Sequence, residues 1–416
     1  MRTTSSDAGP VPDLRRLWWA YGVSAFGSAV ATGAMPYLAV VHLGVTTAGL
    51  SAMAVLAAVS SALIALPLAA AADRRPKRTV LIGTELVQCA SLLSLVLAWQ
   101  VATISYPHLC VAAAVQSAGG IVYASACAAL IRSTVPPAGR LAASGRLEST
   151  TWASLTVGPL LGGLLISLVG AIGVVLVDAL TFLVGARLLR GTRTGADVQV
   201  EQRSAAAAAD RGQVLGGLRH VLSHAGLRPL FLNAMVFGGA LMMAGPLLTV
   251  LMLRDLALAP WQYGLALGLP AVCGLAGSLL SARLVARTGE HRGLLLAGAA
   301  RGPWLLPLLL APRGGGELLV VVGSQGLLML AAGLFNPVFA SYRMSVTSPH
   351  LMTRVSAGWS ASAKIVQPLC IAAGGALATT LGLQAALAVA GVLCLSSSLL
   401  LPWHRSAARH PPCRTD

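Results

Sequence analysis

The chain is a succession of long apolar runs, each cut by a few charges or turn residues. A helix that crosses a bilayer needs about 20 predominantly apolar residues. Twelve segments meet that requirement: 17–41, 48–72, 79–102, 108–131, 149–169 and 171–189, then 229–252, 261–282, 293–311, 318–341, 356–380 and 383–403. The first run is longer than the apolar core of a secretory signal and lacks a clear small-residue cleavage site, so it reads as a retained helix. The longest polar stretch, from Arg190 to Leu227, separates six segments from six. Within it Val214, Leu215, Leu218, Val221 and Leu222 recur at helical spacing, which predicts an amphipathic segment lying on the membrane surface. The pattern therefore predicts an all-α membrane protein. Its expected parts are a tail (1–16), a six-helix bundle (17–189), a linker (190–228), a second six-helix bundle (229–403) and a tail (404–416).

Composition supports the bilayer as solvent. Of 416 residues, 56% are hydrophobic and 10% charged, too little polar surface to cover a water-soluble core. The seven cysteines are scattered, mostly inside predicted helices and without paired metal-ligand spacing, so they read as free thiols.

A net charge of +16 raises the question of nucleic acid, but the charges sit at helix ends rather than along one face. Alternate loops collect Arg15 and Arg16, residues 73–78, Arg132 with Arg140 and Arg146, residues 187–228, Arg283 with Arg287 and Arg292, Arg343 with Arg354, and the tail from Arg405 to Arg414. The other side holds only Arg254 and Arg313. That bias is the positive-inside pattern. It predicts a multi-pass protein of the inner (cytoplasmic) membrane with both termini in the cytoplasm and no nucleic-acid partner.

The two halves also resemble each other. Gln116, Arg132 and Arg140 answer to Gln325, Arg343 and Arg354, and Gly162-Gly163 answers to Gly374-Gly375, all at an offset of about 209 to 214 residues. Two pseudo-symmetric bundles are the expected consequence.

Two motifs make the resemblance specific. The loop after the second segment reads AAAADRRPKRTVLI, where Asp73, Arg74, Lys77 and Arg78 match a loop signature of the major facilitator superfamily, with Ala69 and Pro76 where glycines are usual. The fifth segment carries Gly145, Ser154, Gly158-Pro159 and Gly162-Gly163, which resembles the signature of drug-exporting members with serine replacing one glycine. LRRLW at 14–18, VDALTF at 177–182 and QYG at 262–264 are similar to siderophore (enterobactin-type) and macrolide or multidrug exporters. The resemblance implies the major facilitator fold, a gating role for the loop after the second helix, and an antiporter, typically an exporter. Where that subgroup often has an acidic residue after a glycine in helix 1, this chain has Gly27-Ser28. The stripe Ser154, Gly158, Gly162 suits close helix approach, and the resemblance implies the eighth helix, with Gly264 and Gly268, as its partner.

Ionisable residues inside the membrane are costly, at about 2.5 to 3.5 kcal/mol for a charge at the bilayer centre, and need a functional or structural reason. Four stand out: Glu85, Asp178, Arg301 and Lys364. Glu85 is the first candidate for proton coupling, the alternative being a glutamate hydrogen-bonded between helices. Asp178 is the second, the alternative being a carboxylate bonded to helix ends. Arg301 and Lys364 could hold an anionic part of a cargo or pair with the acids. Gln88, Gln116, Asn233, Gln325, Asn336 and Gln367 could line a path or join helices, and Tyr37, Trp152 and Trp359 could form walls or packing.

The expected function is a secondary active exporter of a small amphiphilic molecule (drug, siderophore or secondary metabolite). It would work by alternating access as a monomer bound to a small-molecule substrate in the lipid bilayer, with the proton gradient as energy source and no cofactor. An uptake symporter or facilitator of the same fold is the alternative, with a non-transport membrane protein a remote third. No HExxH, GxSxG, Walker-type loop or paired metal ligand is present, so an enzyme or ATP-driven pump is disfavoured.

Overall fold

The computed structural model describes residues 12–63, 75–190, 211–311, 315–348 and 351–403, and these are helical throughout with no strand. In chain order the helices are α1 (Pro12–Ala31), α2 (Thr47–Leu63), α3 (Lys77–Gln100), α4 (Tyr106–Thr134), α5 (137–169), α6 (171–190) and α7 (Arg211–Ser223). The second half follows with α8 (Leu227–Val250), α9 (Pro260–Thr288), α10 (Glu290–Ala300), α11 (Glu317–Val346), α12 (Met352–Thr380) and α13 (Leu383–Ser396).

Ten of these helical stretches are long and apolar enough to cross a membrane. One of them, 142–190, is 49 residues long and makes two crossings, because Gly170 breaks it with φ 74° and ψ 165°. Only glycine adopts that backbone without strain. Thr47–Leu63 is a shorter apolar helix whose expected continuation to Ala72 lies outside the described residues. Among the described residues this makes eleven stretches of crossing length, with Thr47–Leu63 as a further, shorter apolar helix and α7 between the two halves.

Several crossings are not uniform α-helix. The first passes through Ala34–Tyr37 into a π-turn at Leu38–His42, and α8 passes into a π-turn at Leu251–Asp255. These wide turns are rare, so their recurrence about 213 residues apart marks the repeat. After α10 the chain tightens into a 3-10 helix over Pro303–Leu310, where Pro303 and Pro307 cannot donate backbone hydrogen bonds. After α13 it does so again over Ser397–Leu400.

The described residues fall into two compact units: residues up to Leu38 together with those from Val59 to 190, and Ala39–Ala58 together with those from 211 onward.

In the first unit α1 lies against α5 and α6. A side chain at Gly158 or Gly162 would run into the Ala29–Val30 backbone, so α1 takes up the small-residue stripe of α5. This corrects the expectation that the eighth helix is its partner. Further along α9, Gly277 abuts the Leu330 carbonyl of α11, and Gly333 of α11 abuts the Gly274 carbonyl of α9. Contacts along α1 rise with α5 numbering, from Trp18 with Thr150 to Val30 with Gly162, and fall with α6 numbering, from Ser24 with Gly185 to Ser28 with Asp178. Hence α5 runs parallel to α1, α6 runs antiparallel, and the chain reverses at Gly170.

The second unit repeats the device. Gly239 of α8 abuts Cys370 of α12, and Gly374 of α12 abuts Met243 of α8, again a parallel pair held by glycines. The pairs Gly162 with Val30 and Gly374 with Met243 are one contact made twice.

The amphipathic α7 belongs to the second unit. Its Val221 is fully buried with Leu227, Phe231 and Val355, and Gly217 abuts the Arg354 carbonyl, while Leu215 stays exposed.

Candidate functional site

In the first unit the two intramembrane acids are held by one helix. Ser24 and Ser28, four residues apart, share a face of α1. Ser24 Oγ lies 2.8 Å from both carboxylate oxygens of Glu85 on α3, and Ser28 Oγ donates to Asp178 Oδ1 on α6 at 3.1 Å. Glu85 is 0% and Asp178 5% exposed. The two carboxyls are close enough to interact electrostatically, and the Tyr123 side chain adjoins Glu85.

Glycines make the arrangement possible. A Cβ at Gly185 would stand 2.8 Å from Glu85 Oε2, and one at Gly27 would collide with Thr181 of α6. The Gly27-Ser28 pair thus supplies space and a hydroxyl to an acid that α6 presents. Among the described residues neither carboxylate has a cationic partner.

The neighbouring amides tie helices together. Gln88 of α3 is buried and donates Nε2 to Gln116 Oε1 of α4 at 3.1 Å, while Gln116 Nε2 donates to the Gln88 carbonyl at 3.0 Å. Gln88 also occupies the space that a side chain at Gly119 would need.

Of the loop signature, Asp73 and Arg74 lie outside the described residues. Arg78 is placed by its bonds to the carbonyls of Leu189, at 3.0 Å, and Arg190. These carbonyls belong to the last turn of α6, so Arg78 sits at the negative end of that helix. Lys77 opens α3.

In the second unit Arg301 occupies the break between α10 and its 3-10 continuation, 3% exposed. Its guanidinium lies 3.9 Å from the ring centroids of both Phe237 and Phe335 and donates to Asn233 Oδ1. Asn233, wholly buried on α8, donates Nδ2 to the Ser397 carbonyl at 2.6 Å, at the second helix break. Arg301 Nε has no hydrogen-bond partner. Two aromatic faces and one amide thus face a buried cation that has no carboxylate partner among the described residues.

Arg301 and Asn233 stand in the second repeat close to where Glu85 and Ser24 stand in the first. Each pair joins the first helix of its half to the third.

The remaining candidates are dispersed. Lys364 on α12 and Asn336 on α11 are exposed, Gln367 is half-buried, and Gln325 is half-buried with its Nε2 enclosed and unpartnered. Trp359 packs edge-on against Phe231 at 5.0 Å and lies with Phe339 beneath the Arg343 guanidinium. Trp152 is exposed and donates to Glu148 at 2.9 Å, and Tyr37 is half-buried. In the fifth-helix motif Gly145 is exposed with open space around it, Ser154 and Gly163 are buried, and Pro159 sits within α5.

Sequence reasoning missed Ser24, Phe237 and Phe335, and read Ser28 only as the lack of an acid. The serines had a usable signal in their four-residue spacing on the first helix. The phenylalanines had none, since apolar aromatics on apolar helices carry no mark of the cation they cover.

The description Major Facilitator Superfamily matches residues 17–243 and 230–413. Among curated proteins no sequence relative matches the chain. Among solved structures, an inward-facing bacterial homologue of the iron transporter ferroportin is similar, with TM-score 0.71 and 17% identity over 92% of this chain and 98% of that one. A bacterial metal transporter gives TM-score 0.71 and 16% identity over 94% and 98%. A POT family transporter in complex with 5-aminolevulinic acid gives 0.69 and 12% over 95% and 96%. At these identities the likeness is one of fold. With the family match spanning nearly its whole length and apolar helices of membrane-crossing length in both repeated halves, the chain belongs to the major facilitator superfamily and is a multi-pass membrane transporter, not an enzyme.

Proposed function

We propose that this transporter is a proton-driven exporter of a small amphiphilic molecule. The observation that carries the proton is the pair Glu85 and Asp178, two buried carboxyls held by serines of one helix with no cationic partner among the described residues. A buried charge must be compensated. In this site the compensating partner is a proton, which a shift of α1 relative to α3 and α6 would load or release.

Export rests on the resemblance of Gly145, Ser154, Gly158-Pro159 and Gly162-Gly163 to the exporter motif. An exposed Lys364 is the cation proposed to meet the polar part of the cargo, and Arg301 is proposed to set the helix breaks of the second unit. The loop from Asp73 to Arg78 is proposed as a gate, with Arg78 moving on and off the end of α6. The arginine distribution supports placing both termini in the cytoplasm, and the protein is proposed to act as a single chain.

Two of the structural neighbours are named for metals. Among the described residues no group of three or more His, Cys, Asp or Glu could hold a metal ion, which favours an organic cargo. The test is transport by proteoliposomes carrying an internal pH dye. Antiport moves protons against cargo, symport moves both together, and facilitation moves no protons.

A further inference from the structure

A cavity of about 360 Å³ opens in the first unit, away from the carboxylates. Its apolar wall comes from Leu14, Leu17 and Trp18 of α1, Ile131 of α4, and Ala143 and Leu147 of α5. Two arginines share the same cavity, Arg15 at the start of α1 and Arg146 on α5. Both are exposed, and among the described residues neither is held by an acid or a carbonyl. This is unlike Arg78 and Arg140, whose guanidinium groups are spent on backbone carbonyls.

The position in the chain gives the depth. The first membrane-spanning stretch begins at Leu14, so Arg15 and Arg146 stand where a helix meets the headgroup layer, and the leucines lead inward from there. Trp18 is fixed by its Nε1 bond to Thr150 at 2.9 Å, and Trp19 beside it is exposed, the usual arrangement of indoles at a membrane interface. A volume in the lower part of the range for small-molecule sites, two unspent guanidinium groups and an apolar floor together ask for an amphiphile with an anionic head. Basic pockets between membrane helices take anionic lipid headgroups for this reason.

We propose that this cavity is a binding site for one anionic phospholipid, its phosphate between Arg15 and Arg146 and its upper acyl chain along Leu14, Leu17 and Leu147. The site lies on the helix that carries Ser24 and Ser28, so an occupied cavity ties the N-terminal end of α1 to α5. Binding of the lipid is independent of which way cargo moves and of whether protons drive it.

Native mass spectrometry of the full chain in nanodiscs tests this, with phosphatidylglycerol against phosphatidylcholine as added lipid. Wild type is expected to retain one phosphatidylglycerol and no phosphatidylcholine. The double variant R15Q/R146Q is expected to bind it roughly 30-fold more weakly, from two lost arginine contacts. R15K/R146K is expected to keep most of the binding, and R283Q in the second unit all of it. Ala143→Trp, which fills the cavity and keeps both arginines, is expected to abolish binding and guards against a charge effect spread over the whole surface. Equal retention by wild type and R15Q/R146Q would overturn the proposal. So would equal retention of the two lipids, or displacement of the lipid by millimolar inorganic phosphate, which would make this a site for a free anion.

Discussion

Ser28 on α1 donates to Asp178 on α6 at 3.1 Å, so a helix that lacks an acid of its own at this position is given one by its neighbour. Ser24 does the same for Glu85, one helical turn away. Both acids therefore depend on where α1 sits, and a displacement of α1 changes the surroundings of both at once.

Replacing Glu85 by Gln is expected to abolish proton movement coupled to cargo while the protein still folds. Glutamine keeps an acceptor for the Ser24 hydroxyl, so the stability change should stay within about 1 kcal/mol. Proteoliposome transport under an imposed pH gradient is the measurement. Coupled transport at the wild-type rate would remove Glu85 from the mechanism.

Ser28→Ala strips a donor from an almost fully buried carboxylate. Thr181 Oγ1 still reaches Asp178 Oδ1 at 3.4 Å, so the expected cost is about 0.5 to 1.5 kcal/mol, the usual net contribution of one hydrogen bond. Thermal melting in detergent reads it. Ser28→Thr, which retains the hydroxyl, should recover part of the loss, and an alanine variant as stable as wild type would show that Asp178 does not rely on Ser28.

Within one motif, two glycines should behave oppositely. Gly162→Ala forces a methyl group onto the Val30 backbone and is expected to cost roughly 1 to 3 kcal/mol as overpacking. Gly145→Ala meets open space and should be neutral or stabilising by up to about 1 kcal/mol through helix propensity. Paired melting curves decide it. If both variants lose stability alike, the fifth-helix motif is not explained by the approach of α1.

Lys364 is exposed on α12, and among the described residues it has no partner to lose. Lys364→Gln should leave the melting temperature unchanged and raise the KM for an anionic cargo several-fold with little change in maximal rate. A variant with lowered rate and unaltered KM would place Lys364 in the conformational cycle and not in cargo binding.

The hydrophobic pattern carried most of the fold. Twelve apolar runs of bilayer length admit few alternatives, because every backbone polar group in lipid must be satisfied within a helix. The break at Gly170 was foreseeable from two apolar runs abutting at that residue. The partner of the Ser154, Gly158 and Gly162 stripe was not, because small residues say that a backbone comes close without saying which one, and α1 offers no matching glycine motif at Ala29 and Val30. The site was half legible. Glu85, Asp178 and Arg301 announce themselves as charges on apolar helices, whereas the Phe237 and Phe335 faces around Arg301 are visible only once distant segments are brought together.

The reversal at Gly170 also bears on how this protein is made. Because α5 and α6 are joined at Gly170 without a polar loop, the apolar arms on its two sides leave the ribosome back to back. They have to enter the membrane together, as a hairpin, since the first arm has no hydrophilic connector to hold it while the second is synthesised. A short hydrophilic tag inserted at residue 170 should therefore let the arms insert one after the other, which accessibility of the tag during synthesis into isolated membranes would report.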